Sequence, residues 1–397
     1  MTAFRSVRDL RVEGKRVFLR TDFNVPLKAG TIADDTRIRA ALPTIRHLLE
    51  RGASVVACSH LGRPKGKRVA ELSLGPVARR LGESLPGVRV TLSEDVVGPS
   101  ARRSAAELAP GEVLLLENIR YEPGETVGDP SLAEALRNLA DLYVNDAFGA
   151  VHRSHVSVCA LPRAFPTPAI GLLMERELEY LSNRLFDPVR PYVAFLGGAK
   201  VADKIPVLRK LLDKVDILGI GGAMAYTFLL ARGISVGQSR CEPELQEECR
   251  RILHEAEGRG IRVLLPLDHM AAPSLEDAGA AVAVEGPSVP DHLSAFDIGP
   301  RTSSEFAAVA ATAGTIFWNG PMGVFERPPF DAGTVSVARA LADSRGITVV
   351  GGGDSVAAVR RAGVAERISH ISTGGGATLE LLAGEALPGL EALRTEL

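Results

Sequence analysis

The chain is short of cysteine, of aromatic residues and of any excess of one charge. Its four cysteines, Cys58, Cys159, Cys241 and Cys249, form no CxxC pair and no metal-ligand cadence, so neither a disulfide framework nor a structural zinc site is expected. A reduced, cytoplasmic chain is the expectation. With 46 Lys+Arg against 48 Asp+Glu and a net charge of −2, it lacks the basic excess that nucleic-acid binding draws on. No stretch approaches the roughly 18 apolar residues of a membrane span. Met1 to Arg20 hold no apolar core of signal-peptide length, and no repeat or low-complexity tract stands out. The expectation is a chain that meets neither membrane nor nucleic acid. Two phosphate fingerprints are missing as well. GxxxxGK[ST] does not occur, and Gly219-Ile220-Gly221 fails as GxGxxG because position 224 is Met. That second absence argues against a nicotinamide-dependent dehydrogenase.

What is present is an ordinary globular composition, 46% hydrophobic and 24% charged, over 397 residues, a length beyond what one core normally supports. Short β-branched runs alternate with amphipathic stretches throughout, which predicts parallel α/β units. First-half strands are expected at Arg16 to Arg20, Ser54 to Ser59, Val88 to Leu92, Glu112 to Leu116 and Leu142 to Val144. In the second half they are expected at Tyr192 to Leu196, Ile217 to Ile220, Arg262 to Leu267, Thr315 to Trp318, Thr348 to Val350 and His370 to Ser372. Ile38, Ala41, Leu42, Ile45, Leu48 and Leu49 carry helical spacing, with Asp34 or Asp35 as N-cap and a bend at Pro43. Leu172 to Leu185 reads as a charged amphipathic helix before Asp187-Pro188 and Arg190-Pro191, and the domain boundary is placed there.

Ligands of open parallel sheets bind beyond the carboxyl ends of the strands. In the first half those ends carry Arg20-Thr21-Asp22-Phe23-Asn24, His60-Leu61-Gly62-Arg63, Glu117 to Arg120 and Asn145 to Arg153, with Arg37 near a helix start. Converging guanidiniums suit a small, multiply charged anion. Asp22 and Asn24, at alternate positions of an extended segment, would face a hydroxyl together. Single arginines of this kind are as often surface ion pairs; His60, His152 and His155 lack the partners of a metal site. In the second half the strand ends are glycine-rich: Gly197-Gly198-Ala199-Lys200, Gly221-Gly222-Ala223-Met224, Gly351 to Ser355 and Gly374 to Ala377. Glycine lets backbone approach a phosphate at a helix N-terminus. Lys200 and Lys204, four apart at a helix start, would lie over the same phosphates, and Asp354 would hold Mg²⁺ through one carboxylate. One such turn would be weak, since glycine at a junction is often packing; four shift the reading towards a nucleotide. Glu326 is a candidate for the ribose hydroxyls.

These stretches, together with Trp318 to Glu326 (WNGPMGVFE) and Gly197 to Lys204 (GGAKVADK), closely resemble the phosphoglycerate kinase family, in order along essentially the whole chain. The resemblance implies two doubly wound parallel-sheet, Rossmann-like α/β domains joined by a hinge helix, with the ligand cleft between them. Their expected extents are 1–171, with 380–397 packing back on it, a helix over 172–187, and 188–379. It implies a phosphotransferase with a carboxyl acceptor, moving a phosphoryl group reversibly between 1,3-bisphosphoglycerate and MgADP to give 3-phosphoglycerate and MgATP, in glycolysis and gluconeogenesis. Asp22, Phe23, Asn24, Arg37, His60, Leu61, Gly62, Arg63, Arg120 and Arg153 would bind the acceptor. Lys200, Lys204, Gly222, Gly299, Asn319, Glu326, Gly352, Gly353, Asp354 and Ser355 would bind ATP or ADP, with Asp354 nearest Mg²⁺; Arg37, Lys200 and Gly375 would be catalytic. A cytoplasmic monomer is implied. The departures, Ala223 for a third glycine, Ser355 for Thr and His269 for Phe, are expected to tune the nucleotide pocket. A carboxylate is ionised near neutrality and needs no general base. The alternative reading is a non-catalytic two-domain protein that binds a nucleotide or small anion.

Overall fold

The protein is described by a computed structural model covering residues 4–394. The outermost residues of the expected extents, 1–3 and 395–397, lie outside the described residues. The chain forms two compact units. One comprises residues through Leu178 together with those from Ala386 on, and the other is Glu179–Glu385.

In the first unit the strands are β1 (Arg16–Arg20), β2 (Leu27–Lys28), β3 (Thr31–Ile32), β4 (Ser54–Cys58), β5 (Val90–Leu92), β6 (Val113–Leu115), β7 (Leu142–Asn145) and β8 (Ala169–Ile170). Strands β5-β6-β4-β1-β7-β8 make one six-stranded sheet, and β2-β3 a small antiparallel hairpin. Every pairing of the large sheet is parallel. Alternation along β1 sends Val17 and Leu19 into the core with Ile38, Ala41, Ile45 and Leu48 of the helix Thr36–Glu50. Phe18, pointing the other way, stacks on Tyr143 with ring centroids 5.9 Å apart. Covering both faces is what makes these strands continuous apolar runs. Asp35 holds the N-cap position of that helix without capping it. Arg80 and Arg39 draw its carboxylate at 2.8 and 2.9 Å, and Asp34 accepts from the Thr36 amide instead, at 2.8 Å. Pro43 sits inside an uninterrupted helix.

The second unit has β9 (Tyr192–Leu196), β10 (Ile217–Ile220), β11 (Arg262–Leu264), β12 (Asp268–Ala272), β13 (Val282–Glu285), β14 (Ser294–Ile298), β15 (Thr315–Asn319), β16 (Ile347–Gly351) and β17 (His370–Ile371). Its main sheet runs β11-β10-β9-β15-β16-β17, parallel throughout. The order reverses between β9 and β15, the switch point where such sheets place ligands. Strand β11 stops at Leu264 rather than Leu267, two residues before Pro266, which has no N–H for a ladder. A three-stranded antiparallel sheet, β13-β12-β14, extends the purely doubly wound expectation. Its strands are alanine-rich or half-exposed, Val282 being 47% exposed, so they carry no apolar run to read.

The expected helix over 172–187 is an α-helix, Leu172–Leu178, continued by π-helical turns over Glu179–Arg184. Residues 380–385 stay with the second unit, and the return to the first begins at Ala386. There the helix Pro388–Glu391 packs on the segment Val156–Ala160, and the Gly389 amide donates to Val151 O at 2.8 Å.

Candidate active site

At the carboxyl ends of β1, β4 and β7, the first unit gathers cations around two buried carboxylates. Arg37 donates from Nη1 to Asp22 Oδ2 at 2.6 Å. Asp22 Oδ1 accepts from the Asn24 amide at 3.1 Å and lies 4.0 Å from His60 Nδ1. Asp22 Oδ1 thus holds the backbone of its own segment while Oδ2 holds Arg37. Asn24 Oδ1 is committed to the Gly62 amide at 2.9 Å. Phe23 is fully buried, and its amide donates to Ser59 Oγ at 2.7 Å. Asn118 holds the next loop from both sides, accepting from Leu61 N at 3.2 Å and donating to Leu61 O at 2.7 Å. Arg120 donates to Gly62 O at 2.5 Å. Arg153 donates to His152 Nε2 at 3.2 Å, and Arg63 is exposed at the loop tip.

Charge and burial set the protonation states. Burial would raise the Asp22 carboxyl, but the ion pair with Arg37, the nearby Arg20 and the Asn24 amide hold it below its ordinary value. Burial pushes His60 well below its ordinary value, and Arg20, Arg120 and Arg153 add to this against Asp22. Burial and the same three arginines lower His155 to about 4. The histidines are therefore neutral near pH 7, and the positive charge resides on guanidiniums. Burial, Arg153 and Arg20 bring even Arg120 down to about 10, as expected of crowded like charges awaiting an anion.

In the second unit the switch point between β9 and β15 is closed by backbone. A Cβ on Gly197 would stand 2.1 Å from Pro321 O, and one on Gly222, whose φ is +64°, 2.6 Å from Gly198 N. Only glycine permits that approach. Lys204 donates to Asn319 Oδ1, and burial lowers its ammonium to about 8 against Asp203 and Asp354. Lys200 is exposed in the loop before the short turn Ala202–Lys204, so the two lysines do not share a helix as their spacing predicted; the glycine-rich turn delays helix formation until Ile205. Ser355 is fully buried and accepts from the Gly320 amide at 2.6 Å. Gly352 precedes the helix Gly353–Arg361, which carries exposed Asp354 in its first turn. Gly375 takes the same position before the helix Gly376–Leu382.

Two further residues of the expected set are Gly299 and Glu326. Gly299 ends β14 as the N-cap of the helix Pro300–Thr312, whose first amides bond to Asp268 at 2.8 and 2.9 Å. Glu326 is exposed at the end of the loop after β15. No three His, Cys, Asp or Glu side chains gather as a metal cage among the described residues. Asp354 alone fits Mg²⁺ of the kind that keeps waters and takes most other ligands from nucleotide phosphates. Glu125 and Ser157, both fully buried beneath the arginines, belong to no motif in the sequence. A charged residue in a turn carries no signal of burial, and only the fold reveals it.

The family model for phosphoglycerate kinase matches residues 7–385. The phosphoglycerate kinase of Moorella thermoacetica is 53% identical over 388 residues, covering 98% of each chain. That of Thermomicrobium roseum is 51% identical over 392 residues, 99% of this chain and 100% of its own. The solved phosphoglycerate kinase from Coxiella burnetii superposes with a TM-score of 0.89 at 41% identity, over 98% of this chain and 99% of that one. The one from Pyrococcus horikoshii gives 0.84 at 35% identity, over 98% of each. Matched by that family model and by relatives about half identical over nearly their whole length, the chain belongs to the phosphoglycerate kinase family.

Proposed function

We infer that the chain transfers a phosphoryl group reversibly between 1,3-bisphosphoglycerate and MgADP, giving 3-phosphoglycerate and MgATP, as a cytoplasmic monomer. The observation that carries the residue assignment is the division of labour between the units. One holds crowded, neutral-histidine-backed arginines for a small anion, and the other holds glycine turns and Lys204 for phosphates. A non-catalytic binding protein would need neither Lys204 beside Asp354 nor an exposed Lys200 with a half-exposed Arg37, and that reading is not favoured.

In the direction of ATP consumption, the ionised carboxylate of 3-phosphoglycerate attacks the terminal phosphorus, and the bond from that phosphorus to the bridging oxygen of ADP breaks. No proton moves, so no general base is required. Arg120, Arg153, Arg63 and His60 orient the acceptor, with Asp22 holding Arg37 in place. Arg37 and Lys200 stabilise charge that spreads over the equatorial oxygens, and the amides following Gly352 and Gly375 add to this. Lys204 places the phosphates. Asp354 and the nucleotide phosphates would hold Mg²⁺, which would neutralise charge on those phosphates.

The test is MgATP consumption with and without 3-phosphoglycerate, the acyl phosphate being coupled to glyceraldehyde-3-phosphate dehydrogenase and followed by loss of NADH. Turnover that depends on 3-phosphoglycerate is expected. Nucleotide binding without turnover would return the chain to the binding-protein reading.

A further inference from the structure

Below the arginine cluster lies a buried carboxylate that the reaction does not use. Glu125, in the short turn Pro123–Thr126, is fully buried. Its Oε2 accepts from Ser157 N at 2.9 Å and its Oε1 from Ser157 Oγ at 2.6 Å. Tyr143 fixes the same residue, donating from its hydroxyl to Ser157 O at 2.8 Å. A carboxylate only accepts, so the Ser157 hydroxyl proton points at Glu125 and its lone pair is left for a donor. That donor is Arg20 Nε, at 2.8 Å. Arg20 is 1% exposed; its Nη1 donates to Thr21 O and its Nη2 meets His60 Nδ1 at 3.3 Å. A guanidinium never accepts, so His60 Nδ1 must, and the proton of the neutral ring is on Nε2.

We propose that Glu125 and Ser157 are positioning residues for acceptor binding: through Arg20 they fix His60 as an Nε2–H donor to the phosphoglycerate. This rests on the assignment of His60 to the acceptor site. Direction along the chain comes from charge. With an ionised carboxylate at one end every hydroxyl, guanidinium and imidazole is held in one sense, whereas a neutral amide at position 125 presents N–H to a hydroxyl that must then turn its own proton towards Arg20. Arg20 Nε loses its acceptor while Nη1 keeps Thr21 O, so the guanidinium is free to swing and no longer holds Nη2 on His60 Nδ1. His155 Nδ1, 3.8 Å from Glu125 Oε1, is the other ring beside this carboxylate.

The experiment uses the full chain. Long-range ¹H–¹⁵N correlation on ¹⁵N-labelled protein, with His60 assigned through a His60→Gln control, reads the tautomer in the ligand-free enzyme, and KM is measured for each substrate. The wild type is expected to show Nε2–H. Glu125→Gln is expected to admit the Nδ1–H form and to raise KM for 3-phosphoglycerate about tenfold while KM for MgATP stays within about twofold. Ser157→Ala, which removes one oxygen and keeps both charges, is expected to do the same and serves if Glu125→Gln does not fold. Retention of Nε2–H in the variants, or a changed tautomer with an unchanged KM for 3-phosphoglycerate, overturns the proposal. A wild type with no turnover dependent on 3-phosphoglycerate overturns the proposed function instead, and the two failures are distinguishable because the tautomer is read without substrate.

Discussion

Arg37 is half-exposed and tied to Asp22 by a single ion pair at 2.6 Å, an arrangement that aims a guanidinium without burying it. Lys200 is exposed. Neither supports the core, so Arg37→Ala and Lys200→Ala are expected to lower kcat by about 10² or more with the melting temperature unchanged. Steady-state kinetics beside calorimetry checks both halves of that statement; a normal kcat removes the residue from the catalytic set. Lys204 differs, because burial lowers its ammonium to about 8. Above that pH the free enzyme has lost the proton that phosphate binding requires, so nucleotide affinity is expected to fall as pH rises through about 8, with proton uptake on binding. Titration calorimetry in buffers of different ionisation enthalpy measures the uptake, and Lys204→Met should abolish it. The candidate ligand residues are legible in the sequence, since arginine, lysine and glycine at strand ends advertise anion chemistry. The supports beneath them, Ser157 and Glu125, are not, because a hydrogen bond across 32 positions leaves no local pattern.

At the scale of elements, the strands with β-branched apolar runs were legible almost residue for residue: Arg16–Arg20, Tyr192–Leu196 and Ile217–Ile220 begin and end as read. The antiparallel sheet β13-β12-β14 was not, because its stability comes from packing of small residues against the helix Pro300–Thr312 and not from strand propensity. The junction of β7 with the helix Leu172–Leu178 shows another feature hidden from pattern. Asp146, just past β7, is fully buried and accepts from the Met174 amide at 3.1 Å. Burial pushes its carboxyl up to about 7, against hydrogen bonds from Thr44 and the amides of Met174 and Leu173. The folded protein therefore holds a proton there that the unfolded chain releases near 3.8. Stability from this group is fully present below 3.8 and is lost as pH rises through about 7, with a slope of at most about 1.4 kcal/mol per pH unit. Asp146→Asn, which stays neutral, is expected to remove that slope. Calorimetric melting temperatures of both proteins from pH 4 to 8 should converge at the acid end and separate towards neutrality, the wild type being the lower; parallel curves would mean the carboxyl titrates normally.

For the whole molecule the decisive fact is the assignment of the two residue sets to two units, with the chain crossing between them only at Leu178–Glu179 and Glu385–Ala386. In-line transfer needs the attacking oxygen and the phosphorus roughly 3–3.5 Å apart, and it needs water kept away from a phosphoryl group that would otherwise be hydrolysed. On the proposed assignment neither condition can be met by one unit alone, because the candidate residues of each suit only one substrate. Both substrates are anions that repel one another, so on the proposed assignment approach becomes favourable only when each has met its own cations, Arg120 and Arg153 of the first unit and Lys200 and Lys204 of the second. Closure is therefore expected to require both substrates together. Small-angle scattering on the free enzyme, on each binary complex and on the ternary complex with a non-hydrolysable ATP analogue should show a smaller radius of gyration in the ternary complex alone. A radius unchanged in the ternary complex of an enzyme that turns over would mean that the units meet without a closing motion, and the division of the site between them would then need another explanation.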